Sequence, residues 1–315
     1  MRALAVLVAA AAVTALGGTA HAAFPGANGV IAFVRADPSA PGVYTVNPDG
    51  TGLKRIFAAP DPNVTEPTWS PDGSHVLFSV FSIAGGGVVD VVDAAGGGLR
   101  TAAQGQQVRQ PAWTADGKVS YVSDTCLDVE GAQSPAVCAV PPPGGSRGSL
   151  RNWPHWSSTG RLAWLASRVP VSAGGFEISN RLVLPMPGAA TVVAGTSDET
   201  IVTDTPVATF DWSPDGSRFV LGLASGGIAV VNADGSGEHA LPLQGHAPSW
   251  SPDGRQIVFE TKDGLHIASA DGTHEVSLTH DREDVEPSWQ PTARAFVPKP
   301  KPKPKPRPKP KRKKH

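Results

Sequence analysis

A short motif recurs six times along this chain and defines its period. The full form is Trp-Ser-Pro-Asp-Gly, and the Trp residues of the six copies are Trp69, Trp113, Trp156, Trp212, Trp250 and Trp289. The steps between them are 44, 43, 56, 38 and 39 residues. Repetition at a period of about 20 to 50 residues is typical of solenoids and propellers, in which each period is one structural unit. The repeat therefore constrains the fold more than any other feature of the sequence.

Each copy combines a tight turn with short strands. In Ser-Pro-Asp-Gly, Pro presets φ, Asp can bond back to the backbone, and Gly accepts a positive φ. An alternating segment such as 256–260 follows and indicates a strand, and a second turn such as Asp271-Gly272 comes later in the period. One period therefore predicts four antiparallel strands in about 40 residues, which is the unit of a propeller blade.

The six motifs predict a six-bladed β-propeller of four-stranded antiparallel blades. The strand around Trp289 has no outer strands of its own, whereas the chain from Phe24 supplies outer strands. Joining the C-terminal inner strand to the N-terminal blade would close the ring and remove exposed sheet edges. We interpret the six Trp residues as blade-packing residues. The predicted domains are a signal peptide at 1–22, the propeller at 23–297 and a disordered Lys/Pro-rich tail at 298–315.

The repeats resemble the TolB-type, WD-like propeller family. Its hallmark is Pro-x-Trp-Ser-Pro-Asp-Gly followed by a strand and a later Asp-Gly turn, and the similarity covers roughly residues 24–297. The resemblance implies the propeller fold. It implies less about function, because the family spans envelope scaffolds, peptidase accessory domains and polysaccharide lyases. Members with an amino-terminal α/β domain differ from this chain, so we carry over no Tol partner.

The amino terminus has the order of a secretory signal. Met1-Arg2 is followed by a weakly apolar run to Leu16 and by Ala20-His21-Ala22, a small-x-small cleavage site, which predicts a cut after Ala22. A retained anchor is the competing interpretation, but the run is shorter than the roughly 20 residues that span a bilayer. We therefore expect a secreted or periplasmic, envelope-associated protein with no transmembrane segment in its mature chain.

Charge is divided unevenly along the chain, which has 27 basic and 28 acidic residues. The tail contains no acidic residue, and its basic residues are Lys299, Lys301, Lys303, Lys305, Arg307, Lys309, Lys311, Arg312, Lys313 and Lys314. Removing these ten leaves 17 basic against 28 acidic residues, a net charge near −11. Alternating Pro predicts an extended segment. In an exported protein its anionic partners would be cell-wall polymers, lipid head groups or acidic glycans rather than nucleic acid, and a solvated spacer is the alternative.

The chain has two cysteines, Cys126 and Cys138. In an exported protein such a pair predicts a disulfide bond. The alternative is a two-Cys metal site, which would need further ligands, and no Cys-x-x-Cys accompanies them.

Propeller ligands usually bind at the mouth of the central channel, on the loops that lead into the innermost strands. Here those loops precede each Pro-x-Trp, and the candidate ligand-binding residues are Glu66, Gln110, His155, His246, His280, Asp284 and Glu286. Glu66 and Glu286 stand at matching positions of adjacent blades and predict a polar, cation-binding pocket. The three His residues are an alternative metal site, as in related lyases that the fold resembles. An ordinary hydrated rim is the third interpretation.

No catalytic triad, phosphate-binding loop, dinucleotide fingerprint or calcium loop is readable in the sequence. We therefore expect a monomeric binding or scaffold module, rather than an enzyme, that needs no cofactor. Its propeller would engage a protein or glycan of the cell envelope, and its tail would tether it to anionic material. The alternative is a secreted metal-dependent polysaccharide lyase or hydrolase with its site in the channel. A structural spacer without a small ligand is a third hypothesis.

Overall fold

The structure is a computed structural model, and it describes residues 23–293 except 61, 82–85, 124–125, 134, 136, 141–150, 169–178, 186–190 and 194–198. The predicted signal peptide and basic tail lie outside the described residues. No helix in these ranges is long and apolar enough to cross a membrane.

The described chain folds into β-strands joined by tight turns. The first eleven are β1 (Ala27–Arg35), β2 (Gly42–Val46), β3 (Lys54–Ala58), β4 (Val64–Trp69), β5 (His75–Phe81), β6 (Gly87–Asp93), β7 (Arg100–Gly105), β8 (Arg109–Trp113), β9 (Val119–Ser123), β10 (Cys126–Val129) and β11 (Val137–Val140). The next seven are β12 (Arg151–Trp156), β13 (Leu162–Arg168), β14 (Ser179–Pro185), β15 (Thr191–Val193), β16 (Glu199–Ile201), β17 (Val207–Trp212) and β18 (Arg218–Leu223). The last seven are β19 (Gly227–Asn232), β20 (His239–Gln244), β21 (His246–Trp250), β22 (Gln256–Thr261), β23 (Gly264–Ser269), β24 (Val276–Ser277) and β25 (Asp284–Thr292).

The strands form a propeller in which each sheet runs outward from a motif-bearing inner strand. Five sheets have four antiparallel strands, in the orders β25-β1-β2-β3, β4-β5-β6-β7, β12-β13-β14-β16, β17-β18-β19-β20 and β21-β22-β23-β24. One further sheet has the order β8-β9-β10-β11-β15. The inner strands contact one another in the order β25, β4, β8, β12, β17 and β21, and β21 contacts β25. They therefore surround a central channel.

The prediction of six four-stranded antiparallel blades is wrong, because the described chain has five blades of that form. The remaining sheet gains a fifth strand, β15, which pairs in parallel with β11 and places Thr191 opposite Cys138. β15 lies between β14 and β16 in sequence but joins the edge of the preceding sheet. The long step from Trp156 to Trp212 thus includes a strand that belongs to its neighbour.

The ring is closed by the expected pairing of the two ends of the chain. β25 lies antiparallel to β1, with Ile31 opposite Trp289 and Ala27 opposite Thr292. Across this pair the Arg35 guanidinium donates to both carboxylate oxygens of Asp284, at 2.6 and 2.8 Å. The last strand is therefore the innermost strand of the first sheet, and no open edge remains between β1 and β25.

The motif Trp residues pack between sheets, as their interpretation as blade-packing residues requires. Trp212 and Trp250 are 0% exposed, and Trp212 belongs to one apolar cluster with Ala163 and Leu165 of the preceding sheet. Trp113 Nε1 donates to the carbonyl of Thr68 in the preceding blade at 3.1 Å. Trp212 Nε1 donates likewise to the carbonyl of His155, at 3.3 Å. Each of these indoles therefore adds a directional bond to an apolar contact between neighbours.

The Ser-Pro-Asp-Gly turns are held by their own side chains. Ser70 Oγ donates to Asp72 Oδ1 at 2.6 Å, and the Ser74 amide donates to the same oxygen at 3.0 Å. These hydrogen bonds lower the pKa of Asp72 to about 2, with Ser70 the largest cause. Gly73 has a φ of 69°, and a Cβ there would meet the Pro291 carbonyl of the closing strand. The turn chemistry read from the sequence is thus present, and it also positions the closing strand.

Candidate functional site

In four of the motif copies, the residue that precedes the motif Pro lies within an inner strand and has a left-handed backbone. The φ angles are 63° at Glu66, 53° at Gln110, 44° at Ala247 and 56° at Glu286. The register with the second strand shifts at this point, for example between Thr65 and Thr68 in β4. Such a bulge re-aims the side chain of the bulged residue. Because Ala247, which has no functional group, shares the conformation, the strain belongs to the motif and not to ligand binding.

The bulges bury side chains that the sequence analysis placed on rim loops. Glu66 and Gln110 are each 8% exposed, and Glu286 is 6% exposed. The placement of these three residues on loops before the inner strands is wrong, since β4, β8 and β25 begin before them. They lie near the start of the inner strands instead.

Glu66 and Glu286 meet, as their matching positions in adjacent blades predicted. Glu286 Oε2 accepts a hydrogen bond from the Glu66 amide at 2.7 Å. The Glu286 amide in turn donates to Glu260 Oε2 at 3.2 Å, and Ser79 Oγ donates to Glu66 Oε2 at 3.2 Å. Three carboxyl groups from three sheets are therefore linked through backbone amides around one side of the channel.

Burial dominates the electrostatics of this glutamate row, which we define as Glu66, Glu260 and Glu286. Desolvation raises the pKa of Glu286 well above its ordinary value, and the charges of Glu66 and Glu260 raise it further. The Glu66 amide opposes the shift. Desolvation also raises the pKa of Glu260, against the amide of Glu286 and the charge of His246. The row can therefore hold a proton, or attract a cationic group of a ligand, at one end of the channel.

The three candidate His residues are not brought together. His155 is buried at 3% exposure and its ring lies 5.2 Å from that of Phe210. His246 is exposed and stands opposite Glu260 in the strand register, whereas His280 is exposed and bonds Ser277. Across the described ranges, no group of three or more His, Cys, Asp or Glu side chains could hold a metal ion.

Asp284 has a structural partner. Its carboxylate is fully buried against Arg35, and its pKa is raised by desolvation, which the Arg35 hydrogen bond and charge oppose. The same contact raises the pKa of Arg35. This residue therefore belongs to the ring closure.

Two acidic residues with hydrogen-bonded carboxyl groups, Glu260 and Asp211, were missed by the sequence analysis. Glu260 lies ten residues after its motif Trp250. Ser79, which donates a hydrogen bond to Glu66, lies at the same offset after Trp69. Alignment of the repeats on Trp would therefore have placed Glu260 beside the row. Asp211, which is 0% exposed, gave no comparable signal, because its bonding partners lie in distant parts of the chain.

A cavity of about 400 Å³ lies at the other end of the ring, between the motif turns of β4 and β8. Its lining includes Asp72, His75, Arg100 and Asp116. Each of these has a partner within the chain: Ser70, Asp93, Glu130 and Lys118, respectively. The cavity was not expected from the sequence, and its charged side chains are already engaged in the turns and strands around it.

The backbone also places the two cysteines together. Cys126 of β10 lies directly opposite Cys138 of β11 in the antiparallel register. No cysteine in the described part of the chain is free. The candidate residues of the tail, from Lys299 to Lys314, lie outside the described residues.

Neither a protein-family profile nor a curated protein matches this chain. Solved structures do match it. TolB from Acinetobacter baumannii has a TM-score of 0.61 and 18% identity, over 84% of this chain and 67% of that one. A nidogen/laminin complex has a TM-score of 0.59 and 10% identity, over 83% of this chain and 98% of that one. The tricorn protease has a TM-score of 0.54 and 13% identity, over 82% of this chain but 26% of that one. At these identities the likeness shows the fold, which is a TolB-like propeller.

Proposed function

We propose that the protein is an exported propeller that binds a protein or glycan of the cell envelope, and that its basic tail holds it at anionic envelope material. One observation carries the proposal: residues 298–315 contain ten basic and no acidic residues, whereas the rest of the chain has 17 basic and 28 acidic residues. An anionic surface attracts such a tail and repels such a body. The propeller is then held near the surface without lying on it.

The two ends of the channel differ in whether the ends of the propeller chain pack against them. This difference supports the end without them as the ligand-binding face. At the end of the motif turns, the Gly26 amide donates to the Pro252 carbonyl at 3.2 Å, and Gln290 Nε2 donates to the Gly73 carbonyl at 2.7 Å. Both ends of the propeller chain therefore pack against these turns. The opposite end, which we call the mouth, is formed by the starts of the inner strands and includes the glutamate row and exposed His246.

The chemistry of the mouth supports a ligand that presents a cationic group. Glu66, Glu260 and Glu286 gather there, and the charges of Glu66 and Glu260 raise the cost of ionising Glu286. A lysine or arginine side chain of a protein ligand would relieve that cost. The alternative of a metal-dependent lyase or hydrolase gains no support, because the described residues contain no group of His, Cys, Asp and Glu that could hold a metal ion.

The tail is tested by a salt-titrated pull-down onto isolated cell envelope. Three proteins are compared: the chain from Ala23 to its end, a chain that ends at Val297, and a chain of full length whose ten tail Lys and Arg residues are replaced by Gln. We expect the first to bind more strongly than the other two, and we expect salt to remove this additional binding because phosphate-like and carboxylate surface charges are screened. Equal, salt-insensitive binding of all three would contradict the tether.

The mouth is tested with the chain that ends at Val297, so that the tail does not contribute. His246→Trp places a bulky side chain at the exposed mouth, and His239→Trp makes the same change on exposed outer strand β20. We expect the first change to reduce capture of envelope protein or glycan and the second to leave it unchanged. Equal capture by both variants would place the ligand elsewhere on the propeller.

A further inference from the structure

The amino-terminal segment of the described chain lies across the central channel. Ala23 packs in the cluster of Trp250, between the sheets of β17 and β21, whereas Phe24 packs in the cluster of Leu77 and Trp113, between the sheets of β4 and β8. Those two pairs of sheets are on opposite sides of the ring. Because consecutive Cα atoms are about 3.8 Å apart, the two residues bridge the channel from one side to the other. Both are 3% exposed.

Ala23 is bound there by a buried carboxyl group. Its backbone nitrogen donates to Asp211 Oδ1 at 3.1 Å, and the Trp250 amide donates to Asp211 Oδ2 at 2.7 Å. The Ser249 side chain and the Trp212 amide also donate to this carboxylate. The groups that face Asp211 from β17, β21 and the amino-terminal segment of the described chain are thus all neutral.

A fully buried carboxylate without a cation is costly, because neutral donors replace only part of its hydration. Desolvation accordingly raises the pKa of Asp211 well above its ordinary value, and the hydrogen bonds lower it only in part. A positive charge beside Oδ1 would offset this cost. The atom already at that position is the nitrogen of Ala23.

The predicted signal cleavage site ends at this same nitrogen. Ala20-His21-Ala22 directs the cut to the bond between Ala22 and Ala23. Hydrolysis of that bond consumes one water, leaves the carboxylate on Ala22 and releases an α-amino group on Ala23. An α-amino group has an ordinary pKa of about 7.7 to 8.0 and is protonated at neutral pH.

We propose that Asp211 is the receiving site for the new amino terminus, so that cleavage after Ala22 converts a neutral hydrogen bond into a buried ion pair across the channel. This inference rests on the proposed export. The bond becomes charge-assisted at its present position. A chain that keeps its leader, or is cut one residue earlier, leaves an amide at the nitrogen and the carboxylate without a cation.

The test compares proteins with defined amino termini, made with a protease that leaves no added residue. One chain starts at Ala23, one starts at Ala22, and one starts at Ala23 with an acetylated α-amino group. We expect urea denaturation at pH 7 to give a folding equilibrium constant on the order of 100-fold larger for the free Ala23 start than for the other two. In an Asp211→Asn background, the advantage of the free Ala23 start should disappear or reverse, since its ammonium group would then be buried without a charge partner.

A second measurement does not depend on the Asp211 variant folding. The free Ala23 amine should react with an amine-selective acylating reagent at least tenfold more slowly in the folded protein than in urea, because it is buried and paired. Equal stability of the three chains with Asp211 present, or reaction at the rate of an unfolded peptide, would overturn the ion pair. Mass spectrometry of the exported protein tests the cleavage site separately. A first residue other than Ala23 would contradict the predicted cleavage site, whereas the three chains of defined start would still test the ion pair.

Discussion

Glu286 is 6% exposed; its carboxyl group accepts from the Glu66 amide, and its own amide donates to Glu260. Desolvation raises its pKa well above the ordinary value. The folded protein therefore binds this proton more tightly than the unfolded chain does, so the stability from this residue is greatest in acid and is lost as pH rises above the ordinary glutamate pKa, which is about 4.3.

Glu286→Gln keeps an oxygen that can accept from the Glu66 amide and removes the ionisable group. We expect the free energy of unfolding of the natural protein to fall, relative to this variant, as the pH rises from 5 to 8. Urea denaturation over that pH range measures the difference. Glu130→Gln, which removes a half-exposed partner of Arg100, is the control and should keep the natural pH slope. Parallel slopes for the natural protein and Glu286→Gln would show that Glu286 is not the responsible group.

Ala247 tests the backbone of the motif apart from any charge. Its φ of 44° is unfavourable for a residue with a Cβ, so Ala247→Gly should change the free energy of unfolding by less than about 0.5 kcal/mol or stabilise the protein. Ala229→Gly, at an equally buried position of β19 with no positive φ, should destabilise by about 1 kcal/mol or more. Thermal denaturation of both variants measures the comparison, and a larger loss for Ala247→Gly would contradict the strain.

At the residue scale, the period of the repeat predicted that Glu66 and Glu286 would be neighbours. Their burial could not be predicted, because it results from the bulge. In the sequence, the only sign of the bulge at these two positions is a polar residue before Pro. Asp211 was beyond prediction for another reason. Its partners Ala23 and Trp250 are 188 and 39 residues away, and no local pattern records such pairings.

At the scale of elements, the sheet of β8 differs from the others in its edge. The turn signals and alternation of the sequence predict antiparallel neighbours, and four of its strands follow that order. The parallel pairing of β15 with β11 joins segments from two different periods. Such a pairing depends on which sheet edge lies close to the segment in the folded protein. A short apolar segment such as 191–193 does not specify that edge.

The cysteines belong to the same sheet and give a prediction about it. We propose that Cys126 and Cys138 form a disulfide bond across β10 and β11, where they lie in direct register. Reduction should then add the mass of two hydrogens and destabilise the protein by about 2 to 3 kcal/mol, the range for a loop of this size. Intact mass and urea denaturation, with and without reductant, measure the two effects. In a Cys126→Ala/Cys138→Ala variant reductant should change neither, and free-thiol labelling of the untreated natural protein would refute the bond.

At the scale of the whole molecule, the pairing of β1 with β25 is what makes the array a ring. The sequence predicted this closure from a count of strands, since the last inner strand and the first outer strands each lacked a partner. It could not supply the buried pair of Arg35 and Asp284 that accompanies the closure, because Asp284 stood among several charged residues before the last motif.

Arg35→Met should open this closure, because it leaves Asp284 buried without its cation. We expect a loss of about 3 to 5 kcal/mol in the free energy of unfolding at pH 7. Arg35→Met/Asp284→Asn should recover much of the loss, since no buried charge then remains. Hydrogen exchange of β25 amides, followed by mass spectrometry, should rise in the single variant before that of β18 and β19. A single variant as stable as the natural protein would mean that strand pairing alone closes the ring.

The arrangement of the chain ends also sets a direction for the whole protein. Ala27 lies opposite Thr292 beside the motif turns, so the described chain ends at the face opposite the mouth. If the tail is anchored as proposed, the turns face the surface and the mouth faces outward. The molecule then has a fixed polarity, in which a partner can reach the mouth from the surrounding solution without displacing the anchor.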